Sequence, residues 1–247
     1  MSGHVISPFV QRWGHGNSAR VLLIHGVAAY SGAWWRVGSG LARIGCTVVA
    51  PDLRGHGRSP SAESYSFPEM AADLETLGTE WDLIIGHSLG GPISSMLAAQ
   101  HPPSRGLLLL DPFMDAPDSE FDRIVDELLS ELDPHATEAS IAAQHPAWHP
   151  EDSFHKAISA RLTSRYVVEH CLRDNAPYHH LRLLDDLDTR VLVVGSDPAL
   201  GALFAPESFD GLGLADASYE MIRDAGHSLQ RERPDVVIDR ARMLLGL

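Results

Sequence analysis

A serine stands between two glycines in the pentapeptide GHSLG, residues 86–90, where it could act as a nucleophile. An apolar run precedes the pentapeptide and the helix-forming segment GPISSMLAAQH (91–101) follows it, so Ser88 is expected in a sharp turn between a buried strand and a helix. Such a turn pushes the hydroxyl clear of the backbone, and this spacing in this context is that of a nucleophile elbow. A side chain at Gly86 or Gly90 would collide with neighbouring backbone. We therefore predict that Ser88 is a nucleophile.

A serine hydroxyl reacts readily only when a base takes its proton and a carboxylate orients that base. Among the 14 histidines, His227 in the sequence AGHS (225–228) is the candidate for the base. It follows the last strand-like segment, at the start of SYEMIRDAGHS (218–228), and precedes the amphipathic helix predicted at 234–246. This position lies at the C-terminal edge of a sheet. Most of the others are interpreted as surface or turn residues, and the spacing of those in the segment 114–186 indicates no metal site.

Short runs rich in Val, Ile and Leu recur along the chain and predict strands. Their apolar character is nearly continuous, so these strands should be covered on both faces. Helical patterns lie between them, which favours a doubly wound, mostly parallel α/β sheet whose strand C-termini meet at one edge. The predicted strands are RVLLIHG (20–26), CTVVAPD (46–52), DLIIGHS (82–88), GLLLLDPF (106–113) and RVLVVGSD (190–197).

One region, from residue 114 to about 186, interrupts this alternation. It contains no strand-like run, and apolar residues recur at helical spacing in SEFDRIVDELLSEL (119–132). The sequence therefore predicts one core domain, built from residues 1–113 and 187–247, with a helical cap inserted at 114–186 over the strand ends.

The composition restricts the partners of the protein. Its 247 residues are 44% hydrophobic, enough for one sizeable core, and the net charge of −14 would repel nucleic acid and anionic membranes. A small-molecule substrate is expected instead. Cys46 and Cys171 lie far apart and predict neither a disulfide framework nor a zinc site, and no signal-like or membrane-length apolar run is present. We expect a cytoplasmic monomer or homodimer without a metal or other cofactor.

Five motifs occur in the order and at about the spacing of one known superfamily. They are LIHG (23–26), PDLRGHGRS (51–59), GHSLGG (86–91), GSDP (195–198) and AGHS (225–228). On these motifs the chain resembles the α/β-hydrolase superfamily, in its serine-nucleophile esterase or lactonase branch. The resemblance implies a parallel sheet with a variable cap, and a cofactor-independent serine hydrolase that forms an acyl-enzyme on Ser88 with His227 as its base.

Two aspartates compete for the role of the acid that orients His227. Asp197 ends the strand RVLVVGSD and gives the usual chain order Ser, Asp, His, so it is favoured. It comes only two residues after the glycine of its strand, however, where many superfamily members have a spacing of three. Asp111 in LLLLDPF is the alternative, since some branches, including haloalkane dehalogenases and zearalenone-type lactonases, place their acid near there. An acid at Asp111 would favour a large lactone as substrate.

Acyl transfer also needs hydrogen-bond donors aimed at the developing oxyanion. The backbone N–H of Leu89, at the start of the helix after the nucleophile, is one candidate. The resemblance implies that the N–H of Val27, the residue after LIHG, is the second.

Large apolar side chains near the predicted strand ends could form the wall of a substrate pocket. Two of them, Trp34 and Trp35, could equally belong to the core, because ligand sites and cores draw on the same residue types. The candidates are Trp34, Trp35, Phe113, Met114 and Trp148.

The sequence thus predicts a serine hydrolase acting on an ester or lactone of a small, fairly apolar molecule. A hydrolase that cleaves C–C bonds of ring-fission products and a cofactor-free oxygenase carry similar motifs and remain alternatives. A small-molecule receptor is an alternative from another class, since some members of the superfamily keep the triad for signalling. Epoxide hydrolases and dehalogenases are disfavoured because they carry aspartate where this chain has Ser88.

Overall fold

The computed structural model describes residues 4–15, 18–130, 132–185, 187–210, 212 and 216–247. Within these residues one sheet of seven strands forms in the order β1-β3-β2-β4-β5-β6-β7. Only β1 runs antiparallel to its neighbour, so the predicted doubly wound, mostly parallel sheet is confirmed. The strands are β1 (Val10–Trp13), β2 (Arg20–Ile24), β3 (Thr47–Pro51), β4 (Leu83–His87), β5 (Gly106–Leu110), β6 (Val191–Gly195) and β7 (Ala217–Met221).

Helices cover both faces of the sheet and fill the segment between β5 and β6. In chain order they are α1 (Trp35–Arg43), α2 (Phe67–Glu75), α3 (Gly90–Gln100), α4 (Phe121–Ser130), α5 (Glu138–Gln144), α6 (Pro150–Leu162), α7 (Arg165–Arg173), α8 (Pro206–Asp210), α9 (Leu229–Glu232) and α10 (Pro234–Leu245). In the part of the chain that the structure describes, no helix is both long and apolar enough to cross a membrane.

The continuous apolar runs of the strands are explained by two separate cores. Alternate strand residues such as Leu22 and Ile84 pack with α2 and α3 on one face, whereas Leu23 and Ile85 pack with α1 and α10 on the other. Successive side chains of a strand point to opposite faces, so a strand covered on both sides must be apolar at every position.

The segment between β5 and β6 is helical, as the sequence predicts for 114–186. Its described residues form α4 to α7 and contain no strand, apart from a single bridge between Asp115 and His179. Buried residues of α4 and α7, including Val125 and Val168, join the core that α2 and α3 share with the sheet. The division into a core domain and a cap remains a prediction.

A buried ion pair fixes the loop that follows β3. Arg54 donates from Nε to Asp73 Oδ2 at 2.7 Å and from Nη2 to Asp73 Oδ1 at 2.8 Å, and both residues are 2% exposed. Asp73 Oδ1 also accepts a hydrogen bond from Ile6 N at 2.8 Å. The pair therefore joins the loop, α2 and the N-terminal segment.

Asp73→Asn should lower the free energy of unfolding by about 1.5 to 3 kcal/mol, because an amide replaces the charged acceptor of the buried guanidinium and leaves only Glu69, 3.1 Å from Nη1, as its counter-charge. Urea denaturation monitored by circular dichroism measures this loss. Asp126 is exposed on α4, and Asp126→Asn serves as the matched control that should change stability little. Equal, small losses in both variants would contradict the role of the pair.

Candidate active site

Ser88 occupies a left-handed turn between β4 and α3. Its φ angle is +53°, a conformation that costs a residue with a side chain on the order of 1–3 kcal/mol, so surrounding structure must hold it. A Cβ atom at Gly86 would lie 2.5 Å from the carbonyl oxygen of Gly90, and one at Gly90 would lie 2.4 Å from that of Ile24. The predicted steric reason for both glycines is therefore confirmed, and the turn has the geometry of a nucleophile elbow.

His227 is held by Asp111. The ring nitrogen Nδ1 of His227 donates to Asp111 Oδ2 at 2.7 Å, so Nε2 is the ring nitrogen that this bond does not use. Asp111 is fully buried directly after β5, and its carboxylate also accepts hydrogen bonds from the amides of Leu203 and Phe204 at 3.1–3.2 Å. Ser88 and His227 line the same cavity, so a histidine held by a buried carboxylate shares that cavity with the serine.

Asp197 does not contact His227, and the expectation that it would is wrong. Its carboxylate accepts instead from the amides of Ala199 at 2.9 Å and Asp224 at 3.1 Å. The bond from Asp224, which has the larger effect, and the bond from Ala199 both lower the pKa of Asp197. Asp197 thus caps the short turn that follows β6. Asp111, the alternative named from the sequence, follows β5, the neighbour of β4, and makes the contact.

His87 supports the position of His227, a role that the sequence analysis missed. Its Nε2 donates to the carbonyl oxygen of His227 at 2.9 Å, and the two rings pack with their centroids 4.7 Å apart. Burial holds the pKa of His87 well below its ordinary value, and the nearby His227 lowers it further, so this ring is neutral. Its place directly before the serine is the signal that could have identified it.

The backbone at the predicted oxyanion site passes close to the serine. A Cβ atom at Gly26 would lie only 2.9 Å from the Cβ atom of Ser88. The loop after β2 can therefore approach the serine this closely because residue 26 has no side chain. Val27 and Leu89 both line the cavity. Among the described residues, neither of their amides donates a hydrogen bond to a protein acceptor. Both N–H groups are thus available to a ligand.

The cavity above Ser88 has a volume of about 650 Å³. Phe113 lines it from the segment after β5 and Trp148 lines it from the loop before α6, as the sequence predicts for these two residues. Much of the remaining wall is apolar and comes from α4 and α7, including Ile124, Leu128 and Leu172. The helices between β5 and β6 therefore shape the space that a substrate would occupy.

Three of the predicted pocket residues lie elsewhere. Trp34 is fully buried in the core beneath α1, and Met114 is buried in the opposite core. Trp35 donates from Nε1 to Asp152 Oδ1 at 2.9 Å and so joins α1 to α6. These side chains are directed into packing and a structural hydrogen bond rather than to the cavity wall.

Within the described ranges, no group of three or more His, Cys, Asp or Glu side chains is arranged to hold a metal ion.

The chain is similar to proteins of one family along most of its length. The family model for the alpha/beta hydrolase family matches residues 21–240. Lipase LipV of Mycobacterium tuberculosis is 37% identical over 172 residues, which cover 66% of this chain and 64% of LipV. The chain spans about half of other curated mycobacterial relatives, 49% of their length.

Two solved structures share the fold. Esterase EaEST of Exiguobacterium antarcticum has a TM-score of 0.78 at 17% identity, with 100% of both chains covered. Est816, described as an N-acyl homoserine lactone degrading enzyme, has a TM-score of 0.74 at 23% identity, with 95% of both chains covered. The family model matches nearly the whole chain, and the structure has the elbow at Ser88 and the sheet that carries it. This protein therefore belongs to the alpha/beta hydrolase family.

Proposed function

We propose that this protein is a serine hydrolase that cleaves an ester or lactone, and the acid at Asp111 extends the proposed substrates to large lactones. The observation that carries the proposal is the hydrogen bond of 2.7 Å from His227 to the buried Asp111, in a cavity that His227 shares with the strained Ser88. A serine and a histidine that line one cavity, with a buried carboxylate bonded to the histidine, are the parts that nucleophilic acyl transfer requires.

In the proposed reaction, the Ser88 hydroxyl attacks the substrate carbonyl while Nε2 of His227 takes its proton. The negative charge that develops on the carbonyl oxygen is stabilised by the N–H groups of Val27 and Leu89. Collapse of the tetrahedral intermediate breaks the acyl–oxygen bond, and the proton on His227 passes to the leaving alkoxide. A water molecule, activated by the same histidine, then hydrolyses the acyl-enzyme and restores Ser88.

Asp111 is the proposed orienting acid. By accepting from Nδ1 it fixes the ring tautomer that leaves Nε2 free to act as a base, and it stabilises the imidazolium formed during attack. The backbone amides of Leu203 and Phe204 also donate to its carboxylate and hold it in place in a fully buried position.

The cavity supports a substrate with a substantial apolar portion. Its volume of about 650 Å³ lies in the range of sites for small organic molecules, and α4 and α7 supply aliphatic wall residues. The names of two similar proteins, a lipase and an N-acyl homoserine lactone degrading enzyme, also support ester or lactone substrates.

Ser88→Ala should reduce hydrolysis of 4-nitrophenyl esters by at least about 10⁴-fold while leaving the fold intact, because only the nucleophile is lost. The same variant should not be labelled by a serine-directed organophosphonate, as measured by intact-protein mass spectrometry. Ser94→Ala is the matched control: this buried serine of α3 donates to Gly91 O at 2.8 Å, and its loss should leave labelling unchanged. Labelling that persists in Ser88→Ala would exclude Ser88 as the nucleophile.

Asp111→Asn should lower kcat by about 10³- to 10⁴-fold, because the imidazole of His227 loses its fixed tautomer and the support of its charged form. Asp197→Asn is the control and should leave turnover close to the wild-type value, since Asp197 only caps a turn. Proton NMR gives a second readout that does not depend on turnover. The downfield signal of the His227 Nδ1 proton should be present in wild type and Asp197→Asn and absent from Asp111→Asn. The reverse pattern would make Asp197 the acid.

A further inference from the structure

The guanidinium of Arg231 lines the cavity without a polar partner. Arg231 lies in α9, four residues after His227, and is only 4% exposed. Its Nε is completely buried and has no hydrogen-bond partner. Among the described residues, no carboxylate comes within ion-pairing distance of this side chain and no side-chain hydrogen bond from it is formed. Its guanidinium carbon lies 4.8 Å from the centroid of the Trp148 ring.

The acidic groups nearest to Arg231 are bonded elsewhere. Asp152 accepts hydrogen bonds from Trp35 and Arg36. Glu232 accepts from Gly226 N at 2.7 Å and lies 3.4 Å from the indole nitrogen of Trp148. Both carboxylates act on Arg231 only through space. Their charges reduce the cost of burying the cation without using its N–H groups.

A buried cation without hydrogen-bond partners is costly and therefore requires an explanation. Burial lowers the pKa of Arg231 to about 10, so the group is still charged at neutral pH. The indole ring of Trp148 offsets part of the cost through a cation–π contact, but it accepts no hydrogen bond in the plane of the guanidinium. A ligand that enters the cavity can bond the terminal nitrogens, because only Nε is both completely buried and without a partner.

We propose that Arg231 binds an anionic group of the substrate, a carboxylate remote from the carbonyl that Ser88 attacks. A planar guanidinium matches a carboxylate through paired N–H···O bonds, which are among the stronger hydrogen bonds in proteins. The inference rests on the proposed function and narrows it to esters or lactones that carry a negative charge beside an apolar portion. Hydrolysis adds water across the acyl–oxygen bond and leaves this second group unchanged.

Arg123, another cation of the cavity wall, differs from Arg231 in its surroundings. Arg123 is exposed and pairs with Glu120 and Glu127 at 2.5 and 2.6 Å. A substrate carboxylate would have to compete with those partners at Arg123, whereas at Arg231 it would meet unpaired donors. The buried position also excludes the water and salt that screen an exposed pair.

The test uses two pairs of substrates in which methylation masks the carboxylate. On the acyl side these are mono(4-nitrophenyl) adipate and methyl 4-nitrophenyl adipate, and on the leaving-group side they are 4-acetoxybenzoate and its methyl ester. In at least one pair, Arg231→Met should lower the ratio of kcat/KM for the anionic ester to that for the neutral ester by about 10- to 100-fold. Arg231→Lys, which keeps the charge, should restore part of that ratio.

Arg233→Met is the matched control, because Arg233 lies two residues further on, outside the cavity wall, and its loss changes the net charge equally. It should leave both ratios unchanged. If Arg231→Met lowers the anionic and neutral members equally in both pairs, Arg231 only packs against Trp148 and the inference is wrong.

A binding measurement separates this inference from the proposed hydrolysis. Monomethyl adipate is titrated by calorimetry into Ser88→Ala and into the double variant Ser88→Ala/Arg231→Met. Binding that weakens about tenfold or more in the double variant supports the anion site, even if the wild type hydrolyses none of the four esters and the proposed function fails. Equal binding to both proteins, or none to Ser88→Ala, overturns the site.

Discussion

The positions of Ser88 and Asp111 depend on the contact between the nucleophile elbow and the end of β5. The amide of Ser88 donates to Leu110 O at 3.1 Å, and the carbonyl oxygen of Ser88 accepts from Phe113 N at 3.1 Å. These two bonds hold the left-handed turn of the serine from either side of Asp111. The acid itself has a φ angle of +38° and donates from its amide to Val194 O on β6 at 2.8 Å. The strained nucleophile and the buried carboxylate are therefore fixed by one set of backbone bonds at the centre of the sheet.

This coupling explains which parts of the site the sequence could predict. The elbow was predictable because its glycines, its serine and the flanking strand and helix are all local signals, and His227 was predictable from its position after the last strand. The choice between Asp111 and Asp197 was not local. Both follow apolar strands that lie side by side, and what separates them is the direction of the chain after each strand.

The surroundings of each aspartate show why that direction is hidden in the sequence. Asp197 turns back to accept from Ala199 and Asp224, so it closes its own loop. Asp111 points inward, where the amides of Leu203 and Phe204 meet it from a segment more than ninety residues away, which has no motif to mark it. The fold class could be predicted from the recurrence of strands and helices alone. Identification of the acid required contacts between segments that are distant in the sequence.

The same distinction applies to the cavity. Trp34 and Phe113 are both large, apolar and buried near strand ends, yet of the two only Phe113 also lines the cavity, because residue type does not decide which way a side chain faces. In sequence, QRERP (230–234) resembles a solvated charged turn. The structure instead buries Arg231 beside Trp148, a residue contributed by the helical segment between β5 and β6. The binding end of the cavity is thus built by two segments that the sequence does not connect.

One short segment carries both the base and the buried cation, and this links the two ends of the site. The carbonyl oxygen of His227 is held by His87, the amide of Arg231 donates to Ser228 O at 2.8 Å, and the carbonyl oxygen of Arg231 accepts from Arg36 of α1. Residues 227–231 are therefore held at both ends by bonds to the core. A ligand bound at Arg231 would be positioned relative to His227 by this backbone and by the ring of Trp148, which packs against the guanidinium.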